Sequence, residues 1–177
     1  EEKDRDTIWK IRKGLYPTIG SMRETGTSII TEDIAVDTEN LAEAIRDLKK
    51  IFNVRQFHDG VIFGHARDGN LHFITSVDLD DKTGVMNYEG MMDDLSNMTL
   101  GKFNGSLKAE HGTGRNMAAF VETEWGGPLY EIMWKVKQLA DPDNIMNPDV
   151  LLNRDQKIHL KDLKPMPKVH DEVDQCI

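Results

Sequence analysis

His65-Ala-Arg-Asp-Gly-Asn-Leu-His72 places two imidazoles around an Asp68-Gly69 pair. Asp-Gly between β-rich apolar runs is a strong hairpin signal, because both central residues of a type I′ turn need positive φ. The spacing predicts strands over 61–66 and 71–77 folded about that dipeptide. In such a hairpin His65 stands directly opposite His72 on one face, with Cβ atoms roughly 4.5–5.5 Å apart. Two imidazoles so placed reach one cation. Further along, Lys108-Ala-Glu-His-Gly-Thr-Gly-Arg115 adds a carboxylate, Glu110, and a third imidazole, His111.

The flanking sequence places this hairpin in a larger unit. Residues 5–20 read as a helix, with Ile8, Ile11, Arg12 and Leu15 on nearby positions. Thr27 to Val36 is β-branched and extended. Asp37 or Thr38 opens a helix carrying Leu41, Ala44/Ile45, Leu48 and Ile51/Phe52 at the helical period. A Met-rich helix over 85–100, with Tyr88, Met91/Met92, Leu95 and Met98, reads as core filler. An extended segment over 105–109 then leads into Glu110-His111. Strand, helix, strand, strand, helix, strand predicts an α+β fold: a ferredoxin-like antiparallel sheet with helices on one face. Apolar residues on both hairpin faces (Val61, Phe63 and Ile74; Ile62, Leu71 and Phe73) require a second cover.

Helices over 114–123 and 127–140 follow, the latter with Leu129, Ile132/Met133, Val136 and Leu139. Asp141-Pro-Asp and Asn147-Pro close a domain of residues 1–153. Residues 154–177 turn polar and Lys/Pro-rich and read as a linker to another module. At 177 residues the chain suffices for one domain and a tail. It opens on Glu1 without a signal-peptide pattern, as a piece of a longer polypeptide would.

Charge and cysteine usage narrow the partners. A net charge of −9 disfavours binding to a phosphate backbone, so no nucleic-acid role is expected. No apolar stretch approaches the roughly 20 residues a transmembrane helix needs. One cysteine, Cys176, rules out an internal disulfide framework and suits a reducing cytosol. The expected location is cytoplasmic, or peripheral at the inner face of the membrane.

His65, His72 and Glu110 form an ordinary N/O ligand set for Zn, Mn, Fe or Co, with positions left open. Glycines at 105, 112 and 114 admit close backbone approach around the acid–imidazole pair. The Gly-Thr-Gly lacks the strand and third glycine of a dinucleotide fingerprint. Arg12, Lys108 and Arg115 are candidate anion clamps, suited to an acidic substrate, and Trp9 helps to hold Arg12. His58, His159 and His170 have no comparable context and read as structural.

Five segments together resemble the C-terminal domain of FAD-linked oxidases related to D-lactate dehydrogenase, the glycolate oxidase flavin subunit and D-2-hydroxyglutarate dehydrogenase. They are Trp9-Lys-Ile-Arg12, Thr31-Glu-Asp-Ile-Ala-Val36, Gly64 through His72, Gly105 through Arg115, and Asp141-Pro-Asp-Asn-Ile-Met-Asn-Pro148. The resemblance implies a cap over a separate FAD-binding domain, with a small 2-hydroxy acid held between cap and flavin. It implies a divalent metal, Zn or Mn, on His65, His72 and Glu110, and a base at His111. Arg12 would hold the substrate carboxylate, and Asn70 and Asn147 would lie near the flavin. The tail is similar to the link to a ferredoxin-type segment in large fused members, which would make Cys176 the first ligand of a 4Fe-4S cluster. The electron acceptor would then lie beyond that cluster. Two positions depart from the family pattern: Arg67 stands where a small residue is usual, and Ile74 where 2-hydroxyglutarate-type members would carry Asn.

The expected activity is therefore oxidation of a D-2-hydroxy acid of the D-lactate type, with D-2-hydroxyglutarate as the alternative within the family. The fragment alone is expected to be inactive. Two rivals stay open at this point: a metal-dependent hydrolase using the same three ligands on a water, and a non-catalytic ferredoxin-like interaction domain.

Overall fold

The computed structural model describes residues 2–112 and 114–166. Three antiparallel strands, β1 (Ser28–Ala35), β2 (Val61–His65) and β3 (Asn70–Val77), form one sheet in the order β1-β3-β2. Helices α2 (Leu41–Val54) and α3 (Lys82–Ser96) cover one face. α2 buries Ala44, Leu48 and Phe52, the stripe that its apolar period marks. α3 is capped by Asp81, whose carboxylate accepts from the Gly84 amide at 3.0 Å. It buries Tyr88, Met91, Met92 and Leu95 against Ile34, Leu71 and Phe73, so the methionines do serve as core.

The hairpin differs from the predicted type I′ turn. His65 pairs with Asn70 and Phe63 with His72, a two-residue shift from the expected register. Ala66–Asp68 form a 3-10 turn and only Gly69 takes a left-handed φ, at +67°. Two contacts select this longer turn. The Gly69 carbonyl accepts from the Val36 amide at 3.0 Å, and a Cβ on Gly69 would lie 1.9 Å from the Val36 carbonyl oxygen. The tip of the hairpin is thus fastened to the end of β1.

Among the described residues the sheet has three strands rather than the four expected, so a ferredoxin-like topology is not shown. Residues near 105–109 contribute one antiparallel bridge, Ala35 with Ser106, on the free edge of β1. Both bonds of the bridge are 2.9 Å, but the amides of Ala109 and Glu110 turn to the Asp33 side chain. A six-residue π turn, Asn97–Lys102, ends α3 and delivers the chain to this edge. Gly105 fits there because a Cβ would stand 2.2 Å from the Ala35 carbonyl oxygen.

The remaining α-helices among the described residues are α1 (Glu2–Met22), α4 (Arg115–Ala118), α5 (Val121–Trp125) and α6 (Gly127–Ala140). The single helix predicted over 114–123 is therefore two short ones. α1 has no buried residue, and Ile8 and Ile11 are exposed. α6 packs its Tyr130 side against Val121 and Leu152, leaving Leu129, Ile132, Val136 and Leu139 exposed. The first part of the segment read as a linker packs instead, with Ile158 and His159 buried in the 3-10 turn Ile158–Leu160. Cys176 and His170 lie outside the described residues.

Candidate functional site

Cross-strand partners share a face, so Asp33, Phe63 and His72 lie in one row across the sheet, with His65 on the next. His65 and His72 are diagonal rather than direct neighbours, with ring centroids 5.4 Å apart. Diagonal placement still converges. Glu110 Oε1 lies 3.2 Å from His65 Nε2 and 2.8 Å from His72 Nε2. His111 Nε2 is 3.6 Å from the same oxygen, and its ring is 5.1 Å from that of His72.

These side chains line a cavity of about 390 Å³, together with Arg12, Tyr16, Thr31, Glu32, Phe63 and Lys108. It opens on the face of the sheet away from α2 and α3. Phe63 supplies an apolar wall, its ring 5.4 Å from His72. α1 reaches the site through Arg12, whose Nη2 is 3.4 Å from His65 Nε2 and whose guanidinium lies over the Trp9 ring.

Asp33 and Glu32, two further acids, stand beside the cluster without a role read from the sequence. Asp33 is fully buried, and its Oδ2 accepts from the amides of Ala109 at 2.9 Å and Glu110 at 2.7 Å. Glu32 is buried against Lys108 and Asn116, which both donate to it. Lys108 Nζ also lies 3.5 Å from Asp33 Oδ1. Burial pushes the Glu32 carboxyl up, with the Lys108 ammonium opposing. A signal was present: two adjacent acids inside an otherwise apolar, β-branched strand.

The donor chemistry suits a divalent cation. Ligand atoms of His65, His72 and Glu110 all lie within 4.8 Å of one another, and the same holds for Asp33, His72 and His111. Burial holds the His72 imidazole below its ordinary value, with Glu110 and Asp33 opposing, so the neutral ligand form is favoured. Half-exposed Glu110 leaves the cluster open to the cavity.

Other expected residues are elsewhere. Arg115 pairs with Asp162 at 2.9 Å and does not line the cavity. Buried Asn70 reaches the Ile34 carbonyl at 3.4 Å. Asn147, exposed at φ +48°, belongs to the turn after α6, where Asp141 accepts from the amides of Ile145 and Met146.

A sequence profile described as FAD linked oxidases, C-terminal domain, matches residues 1–151. The chain belongs to this family. It is 28% identical over 156 residues to a protein named probable D-lactate dehydrogenase, mitochondrial, of Danio rerio, covering 88% of this chain and 31% of that one. It is 30% identical over 144 residues to D-2-hydroxyglutarate dehydrogenase of Haemophilus influenzae, covering 81% and 14%. Over 159 residues it is 24% identical to glycolate oxidase subunit GlcD of Bacillus subtilis, covering 88% and 32%. The chain thus spans about a third or less of the length of these relatives. Members of this family of FAD-dependent 2-hydroxy acid dehydrogenases and oxidases are oxidoreductases. No helix among the described residues is long and apolar enough to cross a membrane.

Proposed function

We propose that this chain is the substrate-facing domain of an FAD-dependent D-2-hydroxy acid dehydrogenase, acting on a D-lactate-type acid to give the 2-oxo acid. The observation that carries the reading is the convergence of His65, His72 and Glu110 at the floor of a cavity rimmed by Arg12 and His111. His65, His72 and Glu110 would hold a divalent cation, Zn or Mn. FAD would be held mainly by a further domain of the same protein. The chemistry these groups supply when bound is Lewis acidity toward the substrate hydroxyl and a two-electron acceptor for the Cα hydrogen.

The chain's own residues do the rest. Arg12, steadied on Trp9, binds the substrate carboxylate and orients the acid in the cavity. His111 Nε2, mostly exposed beside Glu110, receives the hydroxyl proton, a general-base step typically worth about 10²–10⁴-fold. Phe63 excludes water from one wall. Lys108, committed to Glu32 and close to Asp33, belongs to the frame of the site rather than to the substrate.

In the full-length protein, His65→Ala or Glu110→Ala is expected to abolish metal uptake and D-lactate turnover. Unchanged turnover in either variant removes the metal assignment. The 177 residues alone should oxidise nothing, and ester or phosphate cleavage by them with added zinc would favour a hydrolase instead. The iron–sulfur reading of Cys176 is decided by iron and sulfide analysis of the full-length protein.

A further inference from the structure

We propose that Asp33 is a positioning residue that latches the Glu110-His111 dipeptide onto the sheet and so sets the distance between the ligands of the cation site. The inference rests on the metal reading above. Its starting point is the sheet register: Asp33 on β1 is the direct partner of His72 on β3. One carboxylate therefore stands beside a ligand-bearing residue and also holds the backbone of the segment that brings the other ligand. Oδ2 accepts from two successive amides, those of Ala109 and Glu110. Two N–H groups converging on one oxygen fix the peptide planes on either side of Ala109's Cα. They therefore fix the direction in which Glu110 leaves the chain.

Fully buried Asp33 needs compensation for its charge, and the Lys108 ammonium provides it at 3.5 Å from Oδ1. Lys108 is two residues before Glu110, so the charge contact and the amide contacts fasten the same loop. Glu32, on the next position of β1, takes up that ammonium too, and Asn116 from α4 reaches the other Glu32 oxygen. The loop from 108 to 110 is thereby clamped on the free edge of β1, where a fourth strand would otherwise have run. Its amides close on a carboxylate instead of on a strand. Ligand supports of this kind typically change metal affinity or activity by about 10–100-fold when removed.

The test uses full-length protein, with Zn²⁺ or Mn²⁺ titration, the absorption spectrum of the Co²⁺-substituted form, and kinetics. Asp33→Ala is expected to weaken metal binding by about 10–100-fold and to change the Co²⁺ spectrum. kcat should fall while KM for the hydroxy acid moves little, because Arg12 is untouched. Asp33→Asn keeps an oxygen for the two amides and should recover most of the affinity. Wild-type affinity and an unaltered Co²⁺ spectrum in folded Asp33→Ala would overturn the latch. If that variant does not fold, amide hydrogen exchange in the wild-type protein decides. The Ala109 and Glu110 amides should be protected, and free exchange at both would overturn the proposal. Wild-type protein that binds no metal, with these amides protected, would instead sink the metal reading.

Discussion

His159 shows how a single buried side chain makes stability depend on pH. Its ring packs 5.9 Å from that of Tyr88 and 5.2 Å from that of Phe120. Neither ring nitrogen has a hydrogen-bond partner among the described residues. Burial holds its imidazole below the ordinary value; Asp93, Glu89 and Asp155 oppose this and Lys157 reinforces it. The unfolded chain therefore binds the proton more readily, at a pKa of about 6.5. The stability that neutral His159 contributes is complete above that value and declines as pH falls from there toward the lower folded value. Urea midpoints measured from pH 7.5 down to 5 should fall, and His159→Phe should flatten part of that fall. An identical slope in the variant would show that another group, such as His72, carries the dependence. At the same scale, an imidazole with no site context in the sequence proves to be a core residue of the C-terminal segment.

At the scale of elements, the hairpin and the edge of β1 determine whether His65, His72 and Glu110 meet. Alternation along β2 and β3 was legible, since it needs only a period of two. The turn was not. Asp-Gly suits a type I′ turn locally, but closure against Val36 rewards a longer turn in which only Gly69 takes positive φ. Gly69→Ala combines a left-handed Ala with a Cβ 1.9 Å from the Val36 carbonyl oxygen. It should cost about 2 kcal/mol or more, read as a lowered denaturant midpoint. On the proposed metal reading, cation affinity should drop with it, because His65 and His72 flank the same turn. The expected fourth strand is reduced to one bridge for a related reason. Residues near 105–109 have strand-like sequence, yet two of the amides that follow Ser106 find Asp33 closer than any ladder partner.

For the whole molecule, the two faces of the sheet have different tasks. The face under α2 and α3 holds the core, and Leu48 there is fully buried. Leu48→Ala should cost about 2–5 kcal/mol. Leu139, 85% exposed on α6, should change stability by less than about 0.5 kcal/mol on replacement by Ala. Calorimetry on both variants checks the contrast, and similar losses would mean that α6 packs differently. The opposite face carries the cavity, with α1 reaching over it through Arg12 and Tyr16. The sequence by itself determined the α+β class, the helix periods, the hairpin and the imidazole and carboxylate side chains of the site, because each depends on local pattern or on side-chain chemistry within a short stretch. Only the tertiary structure decided that Glu110 meets both histidines, that Arg115 stays away, and that Asp33 and Lys108 frame the loop. Those outcomes depend on which distant backbone groups compete for the same donors and acceptors, and that competition is settled only when the strands are in register.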